Sequence, residues 1–258
     1  MRLNSLSRVS ALALTLATTL AFAGCGGNPF TPPPDTGNGG LPVDTPANDS
    51  PQNTMVRFQR TYEYQVQPEY VKLLTNDFRY TFSLDSDPAL VTQYGANWGK
   101  DFEAESAANL FDGFTNSSGT YVPGATNITM ALNSVQYFPD PAYPFPPNPG
   151  EPDSSAYYQW VTVARVVMSI EVPGDANGPQ IYYIDAPHNF YLVRGDALGA
   201  SLDADQPATS THWYIRKWDD LSPPPAAGAI RIASVNNRPV GSSLSVPITF
   251  GALKASYR

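Results

Sequence analysis

The sequence has little of what reactive or metal-binding sites are usually built from. Its 258 residues include one cysteine and two histidines, and 15% of them are charged, against about 25% in an average protein. A single cysteine excludes an intrachain disulfide and any zinc or iron–sulfur site that needs several thiolates. The phosphate-binding, nucleophile and zinc motifs of common enzymes are absent. Together with a net charge of −8, which disfavours a nucleic-acid surface, these absences predict a protein without cofactor, metal or nucleic-acid partner.

Residues 1–24 have the pattern of a bacterial secretion signal. Arg2 and Arg8 supply positive charge, and the apolar stretch that follows is too short for a stable transmembrane helix. The stretch ends in FAGC at residues 22–25, which resembles the lipobox of bacterial lipoproteins, usually Leu-Ala-Gly-Cys. The resemblance implies cleavage before Cys25 and acylation of its thiol. The alternative is an ordinary signal peptide whose cysteine lies near the cleavage site by chance.

Lipidation of Cys25 would decide where the mature protein resides. Two or three acyl chains, at about 0.8 kcal/mol per buried methylene, hold a protein stably on a membrane. Gly26 follows the cysteine in place of the Asp that is typical of inner-membrane retention. We therefore expect a secreted, lipid-anchored protein on the periplasmic side of the outer membrane in a Gram-negative host. Without the two arginines of the signal, 13 of the 15 basic residues remain against 23 acidic ones, so the lipid and not surface charge would hold the chain to an anionic bilayer.

Two segments of the chain hold many of its 26 prolines. Residues 25–50 are rich in Pro, Gly, Asn, Asp and Thr and lack apolar periodicity, which predicts a disordered tether. Residues 139–153 read PDPAYPFPPNPGEPD and predict a long loop between two strands, because proline cannot pair inside a sheet. Tyr143 and Phe145 of this loop would either pack on the domain or bind a partner.

The spacing of apolar residues predicts an α+β domain over residues 51–221, followed by a C-terminal extension at 222–258. Ser50 is a good N-cap for a first helix whose apolar residues recur at i, i+3 and i+7. The predicted elements are helices from Pro51 and from Pro68, a strand at 78–82, a helix at 101–111, and strands at 128–132, 160–170, 181–193 and 211–218. Helices that precede a run of strands favour an antiparallel sheet packed against them.

The strand predicted at 160–170 has apolar residues at odd and even positions. The two faces would carry Trp160, Thr162, Ala164, Val166, Met168 and Ile170 on one side and Val161, Val163 and Val167 on the other. We therefore expect both faces of this strand to be largely covered. Pro187 interrupts the next strand and predicts a bulge or an edge position there.

Three stretches of the chain resemble known proteins. Residues 50–83 read SPQNTMVRFQRTYEYQVQPEYVKLLTNDFRYTFS and resemble the first two helices and first strand of nuclear-transport-factor-2-like domains. Residues 210–220 (STHWYIRKWDD) and 249–258 (TFGALKASYR) resemble the last strand and the end of a group of uncharacterised bacterial lipoproteins with that fold. The group typically reads Ser-Thr-Arg-Trp-Tyr-Ile-x-Arg-Trp-x-Asp and Thr-Trp-Gly-x-x-Lys-Ala-x-Tyr-Arg. This chain departs from those patterns at His212, Lys217 and Phe250.

The resemblance implies a curved antiparallel sheet wrapped around helices, which forms a cone with a pocket at its wide end. Families with this fold include ketosteroid isomerases, scytalone dehydratases, epoxide hydrolases and polyketide cyclases, together with non-catalytic binding or dimerisation modules. Such enzymes use a carboxylate or histidine with a tyrosine. The candidate catalytic residues here are Tyr80, Asp101, Asp185, His188 and His212. The candidate pocket-lining residues are Tyr80, Phe82, Trp98 and Trp213.

Three functions are compatible with these features. The first is a lipid-anchored envelope protein whose domain binds a small apolar ligand or another envelope protein without catalysis. The second is a pocket enzyme of the isomerase, dehydratase or hydrolase type, and the third is a module that forms a homodimer through its sheet. The acid pairs at 203–205 and 219–220 are expected in solvated turns, with weak calcium binding as the alternative.

Overall fold

The computed structural model describes residues 40–140, 156–175, 178–197, 200–223 and 244–258. The predicted signal at 1–24, Cys25 and all but the first two residues of the predicted loop at 139–153 lie outside this part of the chain. Within the described residues, no helix combines the length and the apolar character needed to cross a membrane.

The described residues form an α+β domain built on one curved sheet. In chain order its elements are α1 (Pro51–Glu63), α2 (Gln67–Val71), β1 (Leu74–Thr81), α3 (Pro88–Tyr94), β2 (Asn97–Gly99), α4 (Lys100–Asp112), β3 (Phe114–Thr115), β4 (Tyr121–Val122), β5 (Asn127–Pro139), β6 (Tyr158–Asp175), β7 (Gly178–Arg194), β8 (Trp213–Asp220), β9 (Leu244–Pro247) and α5 (Phe250–Ser256). The sheet runs in the order β2-β1-β8-β7-β6-β5, with β9 beside β7. Its pairs are antiparallel except β1 with β8 and β7 with β9. The predicted fold class, an antiparallel-rich curved sheet packed against helices, is confirmed.

Helix α1 begins where the sequence predicts. The Ser50 hydroxyl accepts a hydrogen bond from the backbone N–H of Asn53 at 3.1 Å, which satisfies one of the unpaired donors of the first turn. Met55, Phe58 and Tyr62 each keep 1% or less of their surface exposed. The i, i+3, i+7 spacing therefore does mark the face that packs into the core.

Of the other helices, α4 also agrees with the prediction, whereas α2 and α3 differ from it. Helix α2 ends at Val71, and Leu74 lies in β1 beside Ile215 of β8 instead of on the helix. Helix α4 ends before Gly113, whose φ of +79° is left-handed, the backbone conformation that glycine adopts at least cost. Helix α3 was not predicted; it has only seven residues and no fully buried one, although Leu90, Val91 and Tyr94 pack half-buried against the core.

A β-bulge corrects the predicted faces of the long strand β6. Val163 pairs with His188 and Val166 pairs with Ala186, so two residues of β6 lie opposite Pro187 alone. The extra residue moves every later side chain to the opposite face. Val161 and Val163 therefore share the buried face with Val166, Met168 and Ile170, while Ala164 and Arg165 are exposed. The bulge predicted at Pro187 lies in the partner strand, and β7 is an interior strand of the sheet.

The last part of the predicted tether is ordered against the domain. The backbone N–H of Trp213 donates to the carbonyl of Asn48 at 2.7 Å, and the Asn48 amide donates to the carbonyl of Trp213 at 2.8 Å. The Arg57 guanidinium donates to the carbonyl of Pro46 at 3.1 Å. Order therefore begins before Ser50, because these bonds join residues 46–48 to α1 and β8.

Aromatic rings fill the core between the sheet and helices α1, α2, α4 and α5. The large rings buried there belong to Phe58, Tyr62, Tyr70, Phe78, Tyr80, Phe82, Trp98, Phe190, Trp218 and Phe250. Helix α5 lies in the segment that we expected to be an extension, yet its Phe250 and Leu253 have no exposed surface. The end of the chain is thus part of the core.

Candidate functional site

A carboxylate lies at the centre of the core. Glu103 projects from α4 with no exposed surface. Its Oε1 accepts a hydrogen bond from the Lys254 ammonium at 2.5 Å and another from the Tyr70 hydroxyl. Its Oε2 accepts from the indole N–H of Trp98 at 3.0 Å. Both oxygens therefore have partners, which a buried charge requires.

The cation of this pair is surrounded by aromatic rings. The Nζ of Lys254 lies 3.8 Å from the ring centroid of Trp218, 3.9 Å from that of Tyr80 and 4.6 Å from that of Phe250. Ring faces attract a cation, and more strongly where water is excluded. Burial lowers the pKa of Lys254 to about 8, although the neighbouring Glu103 carboxylate opposes that shift.

A second buried carboxylate joins three elements. Asp220, at the end of β8, accepts from the Tyr80 hydroxyl at 2.9 Å and from the Gly251 N–H at 3.1 Å. It also accepts from the backbone N–H and hydroxyl of Ser222, at 2.9 and 2.5 Å. The prediction that Asp220 lies in a solvated turn is therefore wrong. Its carboxylate is buried, and its hydrogen bonds join β1, β8 and α5.

His188 lies beside this carboxylate and has no exposed surface. Its Nδ1 accepts from the indole N–H of Trp218 at 3.1 Å and lies 3.9 Å from an oxygen of Asp220. Burial lowers the pKa of His188 to about 4, and the Asp220 charge opposes this effect. The imidazole is thus neutral at pH 7, with the proton assigned to Nε2 because Nδ1 is an acceptor.

Other ionisable groups at the edge of the cluster also have altered pKa values. Burial raises the pKa of Asp87 to about 6, against the hydrogen bond that the Thr249 hydroxyl donates to it at 2.7 Å. Burial, reinforced by neighbouring carboxylates, raises the pKa of Tyr62, Tyr70 and Tyr80 well above the usual range. These tyrosines remain neutral hydrogen-bond donors.

Three of the four predicted pocket-lining residues lie together. The ring centroids of Tyr80 and Phe82 are 5.3 Å apart, those of Phe82 and Trp98 4.9 Å, and those of Tyr80 and Trp98 5.7 Å. Trp213 is buried at the other end of β8, where it pairs with Asn48. All four side chains are packed inside the protein, so they line the core and not an open surface.

The five candidate catalytic residues are not brought together. Tyr80 and His188 belong to the buried network around Asp220. Asp101 is exposed in the first turn of α4, and Asp185 forms an exposed bidentate pair with Arg165. His212 is half-exposed and its Nδ1 lies 2.8 Å from the Thr209 hydroxyl. In the described part of the chain, no three His, Cys, Asp or Glu side chains are grouped to hold a metal ion.

Sequence reasoning missed Glu103 and Lys254, although a signal for each exists. Glu103 shares its helical face with Ala107 and Leu110, which are buried, so it is a charge on an apolar stripe. Lys254 follows the apolar Phe250 and Leu253 at i+4 and i+1 and is buried with them. A charged residue on the apolar face of a helix predicts a buried partner.

Comparisons with known proteins give a general likeness of fold. No family model and no curated protein matches the chain. A variant of a protein of unknown function from Mycobacterium tuberculosis is 12% identical to this chain. The match covers 74% of this chain and 79% of the other chain, with a TM-score of 0.39. A candidate aromatic ring hydroxylase and a candidate scytalone dehydratase, both from Novosphingobium aromaticivorans, are 10% and 9% identical. They cover 71% and 68% of this chain and 92% and 90% of their own, with TM-scores of 0.40 and 0.39. At these TM-scores neither family membership nor activity follows.

Proposed function

We propose that the protein is a lipid-anchored interaction module of the bacterial envelope, which binds another envelope protein and catalyses no reaction. The observation that carries this proposal is the burial of the central ionisable groups. Glu103, Lys254, Asp220 and His188 each keep 3% or less of their surface exposed and contact one another or neighbouring donors. A general acid or base must come within about 2.6–3.2 Å of a substrate atom, and these groups are enclosed by the core.

Packing also favours a partner at the surface over a small apolar ligand inside. The Trp218 ring lies 4.5 Å from Phe250, 5.0 Å from Phe190 and 5.1 Å from Phe58, centroid to centroid. These are the distances of directly packed rings. The protein's own side chains thus occupy the middle of the domain.

The motifs that resemble the lipoprotein group support a structural role for that part of the chain. Of the group's residues, Trp218, Asp220 and Lys254 build the buried network, and Phe250 stands buried where the group has tryptophan. The two arginine positions of the strand motif hold His212 and Lys217, which are both half-exposed. On these motifs we assign the domain to the nuclear-transport-factor-2-like proteins as part of the same proposal.

The anchor is proposed from the lone cysteine. Cys25 stands at the acylation position of the lipobox-like motif, and 20 residues lie between it and Pro46, whose carbonyl accepts a hydrogen bond from Arg57 of α1. At about 3.3 Å per residue, a fully extended chain of this length would span at most roughly 70 Å. Cys25→Ser is expected to release the protein from the membrane fraction, with mass spectrometry showing an acylated N-terminal cysteine in the wild type only. An unmodified wild-type terminus would disprove the anchor.

Native mass spectrometry of the full chain, purified in detergent from its host, tests the interaction function. We expect the acylated chain with a second protein bound to it and no small molecule, whereas the chain alone would count against the interaction function. A small molecule that leaves only when the protein unfolds would contradict the proposal.

One observation favours the pocket enzyme as a second candidate. Lys254, His188 and Asp87 all have strongly altered pKa values within one cluster, which is common at active sites. Such an enzyme would have to move α5 to admit a substrate. Hydrogen exchange separates the two candidates, since an interaction module predicts amides in α5 that exchange as slowly as those in β7. Rapid exchange confined to α5 would favour the enzyme.

A further inference from the structure

The surroundings of Lys254 have the composition of a site for an organic cation. Three ring faces, from Tyr80, Trp218 and Phe250, lie within 4.6 Å of its ammonium nitrogen. The Glu103 carboxylate contacts the same nitrogen at 2.5 Å. Aromatic rings around a cation are how proteins recognise quaternary ammonium ligands, and a carboxylate within hydrogen-bond distance adds an acceptor for an N–H group. We call these four side chains the ammonium cage.

We propose that the ammonium cage is a binding site for primary alkylammonium ions, which the side chain of the protein's own Lys254 occupies. The site lies in the interior and is independent of the surface partner proposed above. Its ligand class follows from the pairing of aromatic faces with the Glu103 carboxylate, which lies within hydrogen-bond distance of the ammonium, and the Asp220 carboxylate adds negative charge nearby.

The cage is held in place by groups other than Lys254. The Tyr80 hydroxyl donates to Asp220 at 2.9 Å, and the Trp218 indole donates to His188 at 3.1 Å. Glu103 is fixed by the Trp98 indole at 3.0 Å. Removal of the lysine side chain therefore leaves the rings and the carboxylate preorganised for a replacement cation.

Covalent attachment gives Lys254 the advantage over a free amine. Thr249 caps α5 by accepting from the N–H of Ala252 at 2.9 Å, and it donates to Asp87 at 2.7 Å. The N–H of Gly251 donates to Asp220 at 3.1 Å. These bonds keep the ammonium at a high effective concentration beside Glu103. A free amine should therefore find the cage filled in the wild type.

Removal of the lysine side chain tests the proposal. Lys254→Ala deletes three carbons and the ammonium, which n-propylammonium matches atom for atom, and 1-propanol is the neutral control. In thermal unfolding of the full chain, n-propylammonium should stabilise K254A saturably and bind at least tenfold more tightly than 1-propanol. The wild type should show no saturable shift. In the double variant E103Q/K254A, the preference for the ammonium ion over the alcohol should disappear.

Refolding covers the case in which K254A does not fold alone. The variant would be diluted from denaturant into n-propylammonium chloride, 1-propanol or sodium chloride at equal concentration, and near-UV circular dichroism would report the packed aromatic core. Recovery in n-propylammonium alone supports the proposal. If the amine and the alcohol act equally on stability or on refolding, the ammonium cage is not a cation site.

Discussion

Two ion pairs of nearly equal length lie in opposite surroundings in this molecule. Glu103 and Lys254 meet at 2.5 Å in the core, where their side chains are 0% and 2% exposed. Arg165 and Asp185 meet at 2.6 Å on the sheet, where their side chains are 58% and 32% exposed. Distance therefore does not distinguish the pairs, and only the surroundings do.

The surroundings decide what each pair contributes. Water and salt screen the Arg165–Asp185 pair, and exposed pairs contribute about 0–1 kcal/mol. The Glu103–Lys254 pair has lost its hydration and depends on the Tyr70 and Trp98 donors and on the rings around the ammonium. Removal of Lys254 there leaves the Glu103 carboxylate buried without its cation. The comparison indicates that the inner pair fixes α5 in the core, whereas the outer pair is replaceable.

The largest effect is expected from breaking the inner pair. Lys254→Met keeps most of the side-chain volume but leaves the Glu103 carboxylate buried without its cation. We expect the free energy of unfolding, measured by urea denaturation, to fall by about 3–5 kcal/mol. Lys72→Met is the matched control, because the Lys72 side chain is 56% exposed beside Glu69, and it should cost less than about 1 kcal/mol. Equal losses would remove the distinction between the inner and outer pairs.

A pH effect of intermediate size sharpens the comparison. The pKa of His188 is about 4 in the fold and about 6.5 in an unfolded chain. Between pH 4 and pH 6.5 the unfolded state therefore binds more protons than the folded state. The contribution of neutral His188 to stability is complete above pH 6.5 and is lost as the pH falls to 4. At about 1.36 kcal/mol per pKa unit, the loss should reach about 3 kcal/mol.

The His188 effect is measured as a difference between proteins. The difference in the free energy of unfolding between the wild type and His188→Asn should change by about 3 kcal/mol between pH 6.5 and pH 4, because the opposite contribution of Asp87 is common to both proteins and cancels in the difference. The pKa of Asp87 is raised to about 6, so its stabilising contribution is lost as the pH rises through 6. Identical pH profiles for the wild type and H188N would place His188 in contact with water.

The smallest effect is expected at the outer pair. Arg165→Ala should lower the free energy of unfolding by less than about 1 kcal/mol, and 1 M salt should abolish the difference. The reason is that Asp185 returns to water when its partner is removed. A loss above 2 kcal/mol would show that the bulge in β6 depends on this pair.

The helices and strand faces show what the sequence could predict. Helix α1 was predicted because Ser50, Pro51 and the spacing of Phe58 and Tyr62 are local signals. The faces of β6 were predicted wrongly before Ala164, because a bulge depends on the pairing with Pro187 in another strand. The alternation of apolar and polar residues along one strand does not show where the neighbouring strand pairs with it.

The buried network could not be predicted for a related reason. Glu103 and Lys254 are 151 residues apart in the chain, so the apolar face of each helix indicates that its charge is buried but does not show which residue is its partner. Tyr80 and Trp98 were predicted as pocket-lining because aromatic side chains suit an apolar pocket. Only the structure shows that α5 packs into that interior.

A double-mutant cycle tests most directly whether the interior is a closed, self-paired core. The free energies of unfolding of the wild type, E103Q, K254M and E103Q/K254M give the coupling between the two charges, and the same cycle on Arg165 and Asp185 gives the reference. We predict a coupling of at least about 2 kcal/mol for the inner pair, since E103Q removes the charge that K254M leaves unpaired, and less than about 1 kcal/mol for the outer pair. Equal couplings below 1 kcal/mol would contradict the account, because they would mean that water reaches Glu103.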